Sequence, residues 1–182
     1  MHVVAIVILV VWVAFWIYWI FASVGVKKGR IRWGHEAGVR VVIVLIVLLL
    51  VRIGAFKGQT ITSDPWLEGI GLAIFASGLA LAAWARMYLG RNWGTPMSQK
   101  VDPDLVTTGP YRSVRHPIYS GIILAMAGTA VAVSWYWLIA VALLGTYFVY
   151  SAVTEEHYMI RLFPEAYPDY KRSTKMLIPF VI

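Results

Sequence analysis

The sequence predicts an all-α integral membrane protein with about five transmembrane helices. Three observations carry that reading. Of the 182 residues, 60% are hydrophobic and only 14% charged, and the mean hydropathy is +0.72; soluble domains seldom combine these values. The apolar runs are long and do not alternate as barrel strands would. The basic residues sit in the connections between those runs, where topology signals lie.

The first span is about Val3 to Val24, rich in Trp and Tyr. It has no basic n-region and no small-residue cleavage pattern, so a retained helix is expected and not a signal peptide. Trp12, Trp16 and Trp19, with Trp135 and Trp137 further on, read as an aromatic belt. The second span is about Ala37 to Phe56, with Arg40 and Arg52 placed to snorkel at its ends. The third, about Trp66 to Leu89, is dense in Gly and Ala, among them Gly71, Gly78 and Ala82. Small residues let helix backbones approach, so this helix is expected to be central. The fourth is about Ile118 to Val133, with Pro117 suited to its first turn. Its roughly 16 residues cover about 24 Å. The fifth begins near Trp135 and runs to about Val153, with an interfacial continuation to Phe163. Little more than Ser134 separates the fourth span from the fifth, which predicts a tight hairpin.

The connection from Gly90 to Pro117 is the longest, and long connections in compact proteins are often functional. The tail from Phe163 to Ile182 is broken by Pro164, Pro168 and Pro179. Its Tyr167, Tyr170, Leu177 and Ile178 give it surface to pack, so it is expected to fold back as a lid over the loop. The chain reads as one transmembrane domain, 1–182. Within it, 1–88 form an N-terminal three-helix part, and 89–182 form a loop, hairpin and tail.

Fourteen of the 16 Lys and Arg residues fall on one side of this arrangement; only Arg52 and Lys57 fall on the other. The bias places the N-terminus outside and the C-terminus in the cytoplasm. His116 and Glu155 then share the cytoplasmic side. The net charge of +7 follows the same topology signals and does not imply nucleic acid. With no cysteine, disulfides, thiolate metal sites and a cysteine nucleophile are excluded. His2, His35 and His157 lack metal-ligand spacing, so no metal site is expected.

Chemistry concentrates in Arg115-His116-Pro117-Ile118-Tyr119-Ser120-Gly121, at the mouth of an apolar helix. Ionisable groups at such a place are costly and suggest a site. Glu155-Glu156 follow at the end of the next apolar run. Acidic residues there oppose the helix dipole, so at least one needs a partner. Glu155 is expected to have it, leaving Glu156 to face water or an arginine.

With the tail segment Phe163-Pro164-Glu165-Ala166-Tyr167-Pro168-Asp169-Tyr170, this ordered pattern resembles the isoprenylcysteine carboxyl methyltransferase family, and is similar to phospholipid N-methyltransferases. The resemblance covers roughly Leu89 to Ile182. It implies an S-adenosyl-L-methionine pocket at the cytosolic membrane face, and a lipophilic small-molecule or lipid-linked methyl acceptor reached from the membrane lipid. Carried over by motif, the cofactor contacts are Leu105, Val106, Tyr111, His116, Pro117, Tyr119 and Glu155. Arg112 or Arg115 would meet the cofactor's carboxylate, and Gly121 would leave room for a ligand. Physically, Glu155 can accept hydrogen bonds from the ribose diol or pair with the ammonium. Tyr111 and Tyr119 offer flat faces for adenine or the cationic end. Arg91, Arg115 and His116 are the candidates for catalytic roles; Arg86, Asn92 and Trp93 join Arg91 as candidates for the substrate entrance. A carboxylate acceptor needs no general base, whereas an amine or thiol does.

Two departures stand out. The family's histidine before Leu-Val is absent from Pro103-Asp104-Leu105-Val106, and Ser151 stands where prenylcysteine enzymes present an arginine. Ser151 precedes Glu155 by one turn and is expected to share its face, favouring a neutral or amine-bearing acceptor. An NADPH-dependent sterol or steroid reductase is the alternative enzyme, but Ile118 and Ile122 replace the Asn and Glu of that motif. A non-enzymatic relative such as a transporter is a third reading, opposed by the lack of an inverted repeat. The expected location is a multi-pass membrane protein. That means the plasma membrane in a prokaryote, or the endoplasmic reticulum in a eukaryote, with its site on the cytoplasmic side.

Overall fold

The computed structural model describes residues 3–22, 29–30, 64–94, 99–100 and 103–178, with single positions at 38, 41, 42, 45, 52 and 62. Helices make the fold: α1 (Val3–Ala22), α2 (Pro65–Leu89), α3 (Pro117–Ala132), α4 (Trp137–Leu162) and the short α5 (Ala166–Ser173). A two-residue antiparallel pairing joins Gly29–Arg30 to Gln99–Lys100. Among the described residues, three helices are long and apolar enough to cross a membrane: α1, α2 with the turn after it, and α4. The 16-residue α3 is shorter, as expected. The second predicted span lies outside the described residues apart from isolated helical positions.

α2 starts where its caps dictate. Asp64 accepts the Trp66 N–H at 2.9 Å, Pro65 occupies the first turn, and Glu68 sits near the positive end of the helix dipole. The helix stops at Gly90, whose φ of 53° suits glycine and turns the chain into the loop.

Small residues then set the architecture. A Cβ added at Gly78 would lie 2.4 Å from the Ala125 nitrogen, and one at Gly128 would lie 2.3 Å from the Phe75 nitrogen. α2 and α3 therefore meet backbone to backbone, with Ala82 and Ala125 fully buried in the seam. In a bilayer such packing supplies the contact energy that water would otherwise provide.

α1 leans on this pair. Trp12 Nε1 donates to Thr129 Oγ1 at 3.2 Å, and Phe15 and Trp19 are buried with ring centroids 4.7 Å apart. The aromatic belt thus divides: Trp16, Trp135 and Trp137 are exposed, but Trp19 faces inward. The physical reason is the helical stripe formed by Trp12, Phe15 and Trp19, which packs against the seam helices.

The α3–α4 hairpin is tight, with the carbonyl of buried Ser134 accepting the Trp137 N–H at 3.0 Å. α4 passes Val153 without a break, which puts Glu155, Glu156 and Tyr158 on one rigid element. Beyond it the tail folds back. Val114 and Lys175 form a parallel bridge, Arg115 N–H donates to the Lys175 carbonyl at 2.8 Å, and His116 N–H donates to the Met176 carbonyl at 3.0 Å. The start of α3 is thus held by the tail.

Candidate functional site

A cavity of about 240 Å³ opens where α1, the turn after α2, the loop over 103–111, the start of α3, the end of α4 and α5 converge. Its size approaches the lower range of small-molecule sites. Two kinds of residue line it. Trp16 and Trp19 from α1, Trp93 from the loop, Ile122 from α3 and Phe148 from α4 form an apolar wall. Trp19 and Trp93 meet edge to face at 6.0 Å. Polar groups make the rest.

His116 anchors the polar set. Its ring lies parallel to Tyr119 at 5.4 Å, and Tyr119 stacks on Phe148 at 4.7 Å. The Tyr119 hydroxyl donates to Glu155 Oε1 at 2.5 Å, and His116 Nδ1 lies 3.6 Å from Glu155 Oε2. His116 Nε2 is buried and makes no hydrogen bond among the described residues; Glu156 Oε1 is 3.6 Å away. Across the cavity, Asn92 and Asp104 clasp each other: Asn92 Nδ2 donates to Asp104 Oδ2 at 3.1 Å, and Asp104 N–H donates to Asn92 Oδ1 at 3.0 Å. This pair pins the turn after α2 to the loop.

The tail closes the wall with Tyr167 and Tyr170. Tyr170 donates to the Tyr111 carbonyl at 2.6 Å, locking the tail to the loop. Burial pushes the phenols of Tyr111, Tyr167 and Tyr170 up, and it outweighs Arg115, which pulls Tyr167 and Tyr170 part of the way back. All three stay protonated donors at neutral pH.

Leu105, Val106, Tyr111, Arg115, His116, Tyr119 and Glu155 therefore share the cavity wall. The other candidates are placed elsewhere. Arg91 and Arg112 are exposed and off the wall. Pro117 is fully buried behind the wall, starting α3. Gly121 faces α2, where an added Cβ would meet the Gly78 carbonyl oxygen at 2.6 Å, so the room it leaves is taken by a helix and not a ligand. Of the entrance candidates, Asn92 and Trp93 line the cavity. Arg86 is buried behind Trp93, its guanidinium 4.7 Å from the ring and bonded to the Gly90 and Ala22 carbonyls. Ser151 is also off the wall. It is fully buried and donates to the Tyr147 carbonyl at 2.9 Å, so the acceptor argument built on it loses its footing.

The two glutamates take different places. Glu155 is half-buried at the cavity. Glu156, expected to face water or an arginine, faces the arginine and is 3% exposed. Arg115 Nε lies 2.7 Å from its Oε1, and Lys171 Nζ lies 2.7 Å from its Oε2. A carboxylate buried this far needs such partners. Arg115, expected to meet a ligand's carboxylate, spends its guanidinium on Glu156 and on tail carbonyls instead.

A match to known proteins now bears on this arrangement. Residues 67–166 fit the model of the phospholipid methyltransferase family. The chain belongs to this family. The matched stretch runs from α2 through α4 and so contains the loop, the His116–Tyr119 stack and Glu155. The chain is 31% identical over 148 residues to the nickel-cobalt-cadmium resistance protein NccN of Alcaligenes xylosoxydans xylosoxydans, covering 80% of this chain and 65% of that protein. It is 30% identical over 120 residues to protein-S-isoprenylcysteine O-methyltransferase B of Arabidopsis thaliana, covering 64% of this chain and 61% of that protein. It is 39% identical over 70 residues to methanethiol S-methyltransferase 1 of Bradyrhizobium diazoefficiens, covering 38% of this chain and 24% of that protein. The chain thus spans less than two thirds of the length of these relatives. The resemblance to isoprenylcysteine methyltransferases holds.

Proposed function

We propose that this family member is an integral membrane methyltransferase that uses S-adenosyl-L-methionine to methylate a lipophilic acceptor. The carrying observation is the make-up of the cavity wall. Asp104 and Glu155 stand on it among aromatic rings, and Arg115, the one arginine among the described wall residues, is paired with Glu156. Carboxylates and ring faces together favour a cation, and the cofactor brings a sulfonium and an ammonium. When bound, it supplies an electrophilic methyl group.

The residues' tasks follow from their places. Glu155, oriented by the Tyr119 hydroxyl, accepts hydrogen bonds from the cofactor or pairs with its ammonium. Tyr111 offers a ring face, and Leu105 and Val106 pack against the adenosine part. Trp16, Trp19, Trp93 and Phe148 exclude water and take the apolar part of the acceptor, so alignment is the chain's main contribution. Of the catalytic candidates on the wall, His116 is the imidazole placed to serve as the general base that an amine or thiol acceptor requires. The names of the relatives include both an isoprenylcysteine O-methyltransferase and a methanethiol S-methyltransferase, so a panel of carboxylates, amines and thiols is the assay that identifies the acceptor.

The chain spans the membrane five times as one domain, 1–182, with the N-terminus outside and the cavity on the cytoplasmic side. The part 89–182 builds most of the cofactor pocket, and 1–88 supplies Trp16 and Trp19. Calorimetric titration of the detergent-solubilised protein with S-adenosyl-L-methionine and with NADPH tests the reading. Uptake of the former alone is expected; uptake of NADPH alone would replace methyl transfer with reduction.

A further inference from the structure

We propose that Glu156 is a positioning residue that holds the tail closed over the cavity, acting through Arg115 and Lys171 without touching the cofactor. The idea rests on reading the cavity as the cofactor site. Glu155 and Glu156 are neighbours, but on a helix neighbours diverge by about 100°. Glu155 reaches the cavity wall; Glu156 does not. It points instead between α4 and the tail, where charges from two other segments meet it. Arg115 comes from the loop before α3, and Lys171 comes from α5.

Arg115 makes the connection two-sided. Its Nε is 2.7 Å from Glu156, while its Nη1 donates to the Thr174 carbonyl at 2.5 Å and to the Lys171 carbonyl at 3.3 Å. One guanidinium thus ties the carboxylate of a bundle helix to the main chain of the tail. The tail so held is what carries Tyr167 and Tyr170 to the cavity. Removing the Glu156 charge would leave Arg115 and Lys171 close together with no counter-charge between them. Their repulsion would act directly on α5, because Lys171 belongs to it. His116, 3.6 Å from the same carboxylate, would lose an electrostatic neighbour at the same moment.

The test reads the tail before any cofactor is added. Trypsin cleavage after Arg172 and Lys175 is followed by intact mass on the whole chain in detergent. Glu156→Gln is expected to speed cleavage about tenfold, and Glu156→Asp, which keeps the charge, to restore most of the protection. Affinity for S-adenosyl-L-methionine should fall about tenfold in Glu156→Gln and no further in the double variant with Lys171→Met, because both act on one contact. If Glu156→Gln proves unfoldable, Lys171→Met alone should speed cleavage after Arg172 and Lys175 about threefold, since it removes a half-exposed partner. Wild-type cleavage rates in either folded variant would overturn the latch, whatever happens to cofactor affinity. A wild-type protein that takes up no S-adenosyl-L-methionine would instead overturn the cofactor reading, and the cleavage rates would still judge the latch.

Discussion

α3 serves two regions with opposite demands. Along one stripe, Gly121, Ala125, Gly128 and Ala132 press against α2 so closely that no side chain fits between the backbones. At its N-terminal turn, Ile118, Tyr119 and Ile122 face an open cavity. The seam is apolar, dry and made of the smallest residues. The cavity wall is aromatic and polar, and is assembled from six segments. Gly128 lies ten residues from Ile118, about 15 Å along the axis. The difference shows how a membrane protein separates rigidity from chemistry: the seam fixes the helix, and the fixed helix then presents His116 and Tyr119.

Breaking the seam should therefore have the largest effect. Gly128→Leu would drive a side chain into the Phe75 backbone, with no flexible neighbour to yield. A cost of about 3 kcal/mol or more is expected, at the upper end for overpacked cores. Loss of the monodisperse peak in size-exclusion chromatography would report it. Gly145→Ala, where an added Cβ meets nothing within 4 Å, should leave that peak intact. Equal tolerance at both positions would mean that the helices are not in backbone contact.

Altering the cavity should leave the peak and remove the ligand. Glu155→Gln keeps the shape and the Tyr119 partner but removes the charge. Affinity for S-adenosyl-L-methionine should drop about ten- to a hundredfold, the scale of one charge-assisted hydrogen bond. Calorimetry on the folded variant checks it, and unchanged affinity would detach Glu155 from the cofactor.

The seam was largely legible in the sequence, because Gly and Ala density on a span has one common use in a bilayer. The closeness of His116, Tyr119 and Glu155 was also legible, since motif order groups them and all three line one cavity. Trp19 was not, because an aromatic belt explains any tryptophan near a helix end. The available signal was the stripe Trp12, Phe15 and Trp19, which repeats at helical spacing. Ser151 misled for a related reason. One turn before Glu155 is the same general face, but the wall is narrower than that face, and Phe148 occupies it. Glu156 was half legible: an arginine partner was expected, but its burial depends on a tail fold that local pattern does not encode.

The smallest effect sharpens the same contrast at the level of one residue. Tyr111 and Arg112 are adjacent in the 3-10 turn Gly109–Arg112. Such a turn has three residues per revolution, so successive side chains point about 120° apart. Tyr111 is buried on the cavity wall, and Arg112 is accordingly turned to the exposed side. The motif alone makes Arg112 a good partner for a ligand carboxylate; the turn removes it from reach. Arg112→Gln should therefore change cofactor affinity by no more than about twofold, the usual scale of a surface substitution. Titration of the variant beside wild type decides it. A tenfold loss would mean that the turn rewinds when ligand binds, bringing Arg112 inward, and the cavity wall would then have to be redrawn around an arginine that Glu156 does not neutralise.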